Sequence, residues 1–241
     1  DTAATAPETS SWRRERRNQQ ARANRRTTLR NALFGVAFVL LVAVIRSTLV
    51  TQYAVPSISM EDTLLVGDRI IVNRTTADES DLHRGDVVVF EQPPAWGGGV
   101  STERPSPDPL INLVRDLVVG NDQYVVKRII GLPGDKVVCC NEKAELTVNG
   151  QPVSEPYIQG QAGSLSPFNI TVPRGRVWVM GDNRKYSADS RRWDDGNGST
   201  GSVRIERIQG QVVGIAWPPS RMGALDTWAQ QFESVPNPTR Q

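Results

Sequence analysis

The 241-residue chain predicts a mainly β fold of antiparallel sheets, preceded by one N-terminal transmembrane helix. Three observations carry this. Short segments rich in β-branched residues recur from Arg69 to Ala216; Gly-Asp, Pro-Gly-Asp and Asn-Gly dipeptides punctuate them; and one long apolar stretch lies near the start. A hydrophobic content of 38% is enough for a core. It accompanies a negative mean hydropathy, which excludes a polytopic membrane protein but allows a single span.

Residues 1–30 hold eight Arg against Asp1, Glu8 and Glu15, a surplus of five positive charges. The whole chain is +2, so the remaining 211 residues carry −3, which argues against a nucleic-acid-binding body. From Ala32 to Ile45 every residue is apolar or Gly, and the stretch runs on to Tyr53 with few polar positions. Ala32 to Tyr53 is 22 residues, about 33 Å as a helix, matching a bilayer core of about 30 Å. A cleaved signal peptide fits less well, because the basic lead is too long and no A-x-A-like site follows the apolar run. The expected organisation is therefore a basic, disordered cytoplasmic segment at 1–30 and a transmembrane helix at 31–53. An extracytoplasmic β domain follows at 54–222, with a loosely ordered tail at 223–241. The Arg-rich flank retains the N-terminus in the cytoplasm, and Arg46 can extend its stem toward the far interface. Because the sequence starts at Asp1 and not at Met, residues are expected to precede it.

Strands are expected at Arg69–Asn73, Asp86–Phe90, Tyr124–Ile130, Lys136–Val138, Glu145–Val148, Arg176–Met180 and Gln211–Ala216. Asn149-Gly150 is the clearest hairpin turn. Gln92 to Asp122 reads as a Pro- and Gly-rich loop, with a short amphipathic helix at Leu110–Val119.

Elimination narrows the chemistry. His83 is the one histidine and sits in a turn-like context, where a solvated residue is expected. Cys139 and Cys140 are adjacent, so no metal-ligand spacing exists, and they read as thiols or as a local disulfide. Walker and Rossmann phosphate cradles are absent. What remains is serine chemistry with a base other than His. In Tyr124-Val-Val-Lys-Arg-Ile-Ile130, alternation sets Lys127 on the face of Val125 and Ile129. If that face is buried, desolvation lowers the lysine pKa toward the range where it accepts a proton; on an edge strand the same lysine would snorkel instead. Pro56-Ser-Ile-Ser-Met-Glu-Asp-Thr-Leu64 lies just beyond the expected span and supplies hydroxyls.

These residues, in order, resemble the boxes of the bacterial type I signal peptidases, a family of membrane-bound Ser/Lys proteases. Val55–Met60 with Thr63-Leu64 is similar to the nucleophile box, followed by Gly67–Val72 and Arg84–Phe90. Val126–Asp135 resembles the lysine box and Gly181–Arg191 the last. The resemblance implies a signal-peptidase-type catalytic domain, with Ser59 as nucleophile and Lys127 as general base. It gives the oxyanion hole to Ser57 and the Ser59 N–H, the orienting of the lysine to Ser187, and a structural ion pair to Asp189 and Arg191. Val55, Met60, Leu64, Val125 and Val126 would bind substrate, which would add as a strand and be cut after A-x-A-type sites. It further implies no cofactor and no metal, a small variable subdomain at 139–172, and signal peptides of secreted preproteins, the bilayer and the secretion translocon as partners. The location implied is the cell membrane, single-pass. Asp62 stands where the family usually has Pro, and Lys185-Tyr186 where it often has Asp-Asn. Two rival readings stay open here: a self-cleaving protease of the SOS-repressor type, and a catalytically silent β domain that binds exported chains.

Overall fold

The computed structural model describes residues 28, 30–38, 50–76, 78–97, 124–158 and 162–238. The chain divides into two units, 1–48 and 49–241. In the first, residues 30–38 are helical, with Leu33, Phe34, Val36 and Phe38 exposed. No helix among the described residues is long and apolar enough to cross a membrane. Residues 39–49, which carry about half of the expected span, lie outside the described residues, as do nearly all of the basic segment and the helix expected at 110–119.

The second unit is built of antiparallel strands. These are β1 Val50–Ala54, β2 Arg69–Asn73, β3 Val87–Glu91, β4 Tyr124–Gly131, β5 Lys136–Cys139, β6 Leu146–Val148, β7 Gln151–Pro152, β8 Phe168–Thr171, β9 Arg176–Met180, β10 Val203–Arg204, β11 Ile208–Trp217 and β12 Gly223–Ala224. One sheet has the order β1-β2-β11-β3-β4-β9-β10, with β12 beside β11; the other has the order β7-β6-β5-β8. The small sheet spans most of the subdomain expected at 139–172 and starts slightly earlier, at Lys136. Asn149 and Gly150, both at positive φ, turn β6 into β7. Cys139 and Cys140 are joined as a vicinal disulfide.

Two boundaries are corrected. Val50 to Tyr53, assigned from sequence to the membrane helix, belong to β1, paired in register with Asn73 to Ile70 of β2. A span must therefore end before Val50. Ala32 to Leu49 still supplies 18 residues, about 27 Å of helix. The tail expected to be loose is packed as far as it is described. Phe232 and Val235 are buried in the cluster that also holds Trp178, Met180 and Val148. Isolated apolar residues in a polar, Pro-containing segment give no periodic signal, yet each finds a slot in that cluster.

Candidate functional site

Where β1 ends, the chain runs through Val55 and Pro56 into a single 3-10 turn, Ile58–Met60. Burial sets this turn in place: Met60, Leu64 and Val55 belong to the apolar cluster with Ile70, Val72 and Val126. Backbone bonds close it, from the Glu61 N–H to Ile58 O and from the Leu64 N–H to Met60 O. From outside, the Asn183 N–H donates to Ser59 O at 3.1 Å, and the Asn183 side-chain amide donates to Ile58 O at 3.2 Å. Ser59 is thus clamped between the cluster below and the segment after β9 above.

β4 brings the lysine. Lys127 Nζ lies 2.6 Å from Ser59 Oγ and donates to Val126 O at 2.9 Å. Ser57 Oγ lies 3.1 Å from Ser59 Oγ. Lys127 is 3% exposed, and its burial lowers its pKa from 10.5 to about 8, a shift that Asp189 and Asp182 resist and Arg191 favours. Among the described residues no carboxylate hydrogen-bonds the amine; its partners there are a hydroxyl and a carbonyl. About a tenth of the amine is then neutral at pH 7 and about half at pH 8, and that fraction can accept a proton from a neighbouring hydroxyl.

The neighbouring residue is treated in the opposite way. Arg128, fully buried, donates from Nε to Asp182 Oδ1 at 2.9 Å and from Nη2 to Asp182 Oδ2 at 2.7 Å. Burial works against its charge, but the ion pair outweighs that and raises its pKa. Thr63 Oγ1 donates to the same Asp182 carboxylate at 2.5 Å, which ties the turn after Ser59 to the pair. Asp182 is the partner that sequence reasoning missed. The signal for it was the Lys-Arg dipeptide on a strand buried on both faces, since a buried guanidinium requires a counter-ion.

Asp189 and Arg191 form an ion pair at 2.7 Å, with Asp189 capping the helical turn Ser190–Trp193. Burial alone would raise the Asp189 pKa; the Arg191 guanidinium and the Gly181 N–H hold it below the ordinary value. Ser187 Oγ is buried and lies close enough to Asp189 to help hold that carboxyl low, but no hydrogen bond joins it to Lys127. It lies against Gly181. A Cβ on that glycine would meet Ser187 Oγ at 2.2 Å and Ser59 O at 2.4 Å, so the close approach admits no side chain.

Of the five residues expected to bind substrate, Val55, Met60, Leu64 and Val126 form one apolar cluster. Val125 does not join them: it packs on the cluster of Val88, Phe90 and Ile129, because adjacent β4 side chains face opposite ways. His83 is 70% exposed and lies 3.8 Å from Asp86. No group of three or more His, Cys, Asp or Glu among the described residues is arranged to hold a metal ion.

The β scaffold thus seats a serine hydroxyl against a desolvated lysine amine. The family model described as signal peptidase, peptidase S26, matches residues 28–217, and the chain belongs to that family. Signal peptidase I of Mycobacterium tuberculosis is 35% identical over 237 residues, covering 87% of this chain and 79% of its own length. A probable signal peptidase I of Mycobacterium leprae is also 35% identical, covering 81% and 80%. Signal peptidase IB of Staphylococcus aureus is 32% identical over 200 residues, covering 76% of this chain and 85% of its own.

Proposed function

We propose that this chain is a membrane-anchored serine endopeptidase that removes signal peptides from exported preproteins after A-x-A-type sites. The observation that carries the reading is the 2.6 Å contact between Ser59 Oγ and a buried Lys127 amine to which no carboxylate among the described residues is bound. Family membership supplies the substrate class.

In the proposed reaction, neutral Lys127 takes the proton of Ser59 as its Oγ attacks the scissile carbonyl. Val126 O, accepting an N–H from Nζ, orients the amine's lone pair toward Ser59. The oxyanion is received by the Ser59 N–H and the Ser57 hydroxyl, donors set in advance where negative charge develops. Protonated Lys127 then gives its proton to the leaving amine, and a water, activated in the same way, releases the acyl group. Ser187, packed against Gly181, would assist in orienting the lysine. The signal peptide would lie extended beside Val55 and β4, its small side chains over Val55 and Val126, with Met60 and Leu64 forming the floor beneath. Asp189 and Arg191 would serve structure. The anchor would be the apolar run from Ala32 to about Leu49, with the Arg-rich flank cytoplasmic, the β domain outside, and the translocon delivering substrates. The bilayer supplies the surface; no cofactor, metal or nucleic acid enters the reading.

The test is cleavage of a preprotein bearing an A-x-A site, in detergent, sized by mass spectrometry, with Ser59→Ala and Lys127→Ala beside wild type. One cut after the A-x-A, lost in both variants, is the expected result. Cutting that survives Lys127→Ala would sink the mechanism.

A further inference from the structure

The segment 226–238 begins its path across the domain on the residue next to the lysine. Thr227 O accepts from Arg128 Nη1 at 2.9 Å, and Gly85 O accepts from the same nitrogen at 2.7 Å. The Arg128 guanidinium also lies 4.1 Å from the centroid of the Tyr157 ring. Every face of this buried cation is thereby satisfied, and the C-terminal segment supplies one of its acceptors.

The approach is built from both sides. Gly85 sits at φ +94°, and a Cβ there would meet Thr227 O at 2.6 Å, so the Arg84-Gly-Asp86 box is the socket for the segment. Trp228 is held left-handed at φ +56°, a conformation that a bulky side chain adopts only when its surroundings fix it. Two contacts fix it: the Trp228 N–H donates to Asp226 Oδ1 at 2.8 Å, and its ring lies 6.4 Å from that of Tyr157. Further along, Pro236 O accepts from the Asn149 side-chain amide at 2.8 Å, and Phe232 and Val235 are buried.

We propose that this C-terminal strap is a positioning element for the Ser59–Lys127 pair: the Thr227 carbonyl, seated by Trp228, keeps the Arg128 guanidinium on Asp182 and so sets the charge that Lys127 faces. This rests on the proposed reading of Lys127 as general base. Lys127 is faced by Asp189, Asp182 and Arg191. Around Arg128 stand Asp182, Tyr157, Arg184 and, through the Gly85 turn, Asp86; Glu155 is held by Arg184. Releasing the strap frees Arg128 to turn from Asp182. The carboxylate is then less compensated and favours protonated Lys127, so the base becomes active only at higher pH. Water entering beside Arg128 acts in the same direction, because it relieves the desolvation that keeps the lysine neutral.

The experiment uses the full chain in detergent, with Asp226→Ala, Trp228→Ala and Trp228→Phe. Two quantities are read: the acid limb of kcat/KM for an A-x-A preprotein, and the titration midpoint of the Lys127 13Cε resonance. The chain's lysines are Lys127, Lys136, Lys143 and Lys185; loss of a signal in Lys127→Arg assigns it. Both midpoints are expected to rise by about half a pH unit or more in Asp226→Ala and Trp228→Ala. KM should change less than about twofold, and Trp228→Phe, which keeps a ring against Tyr157, should return the midpoints toward wild type. Asp226 is exposed, so its variant carries the test if Trp228→Ala does not fold. Unmoved midpoints in the folded variants overturn the proposal. Wild type that fails to cut overturns the peptidase reading instead, and the lysine resonance still reports whether the strap acts on Lys127.

Discussion

Lys127 and Arg128 are consecutive on β4 and both buried, yet among the described residues only Arg128 is hydrogen-bonded by a carboxylate. Asp182 neutralises the guanidinium in a bidentate pair, while the amine beside it keeps a hydroxyl and a carbonyl. The Asp182 charge favours protonated Lys127 as well, so it is burial, acting on an amine that no carboxylate among the described residues hydrogen-bonds, that lets the lysine give up its proton. The proposed base is made by withholding a counter-ion from it.

That arrangement has a pH signature. Activity is expected to follow the neutral fraction of Lys127, with kcat/KM rising through a midpoint near pH 8, where burial places the amine. A flat profile from pH 6 to 9 would exclude Lys127 as the titrating base.

The same shift carries a stability consequence. Because the folded-state pKa of about 8 lies below the 10.5 of the free amine, the unfolded chain binds more protons between those values, and stability rises with pH across that window. Below pH 8 the buried amine costs folding on the order of 3 kcal/mol. Lys127→Met should therefore abolish cleavage yet raise the urea midpoint at pH 7, the gain fading above about pH 10.

Asp182→Asn should do the reverse. It leaves Arg128 charged, buried and unpaired, and a loss of about 3–5 kcal/mol is expected in denaturant unfolding. Arg128→Met combined with Asp182→Leu removes both charges and should cost less than Asp182→Asn alone. Additive losses in that double-mutant cycle would mean that the pair is not coupled.

Several of these features were legible in the residues and others were not, for physical reasons. Lys127 stood out by its place in an apolar strand, whereas Ser59 and the Asp189–Arg191 pair were marked only by the resemblance of their boxes to the family's. The alternation argument for Lys127 was weaker than it looked, since β4 is buried on both faces and Arg128 is as enclosed as its neighbour. Asp182, 54 positions from Arg128, has no local mark. Val50-Thr-Gln-Tyr53 is half polar, and over four such residues a strand entering a sheet and the interfacial end of a membrane helix have the same composition. β11 begins three residues before the expected Gln211 because Gly210, opposite Val89 and beside a break in register, interrupts the apolar pattern.

Gly181→Ala tests how closely the last box must approach the nucleophile. The added methyl would collide with Ser187 Oγ and with Ser59 O, and the latter is backbone, which cannot rotate away. Displacing Ser59 by a fraction of an ångström from Lys127 should lower kcat by about 100-fold or more with little change in KM. Near-wild-type kcat in a folded Gly181→Ala would show that the clamp from this segment is not needed.

Phe232→Ala asks whether the end of the chain belongs to the domain. Phe232 is 4% exposed and packs in the cluster with Trp178 and Val148, where β9 meets the small sheet. Truncating a buried Phe removes its transfer free energy and leaves a cavity, so a loss of about 3–5 kcal/mol is expected, read as a lower denaturant midpoint. A solvated tail would give a change within about 0.5 kcal/mol. The same variant separates stability from positioning. Phe232 lies four residues beyond Trp228, at the far end of the short helical turn that Trp228 caps, so its cavity should lower the midpoint of unfolding. The acid limb of kcat/KM should stay where wild type has it. A shift of that limb in Phe232→Ala would mean that packing of the whole segment, and not the seat of Thr227 on Arg128, sets the environment of Lys127.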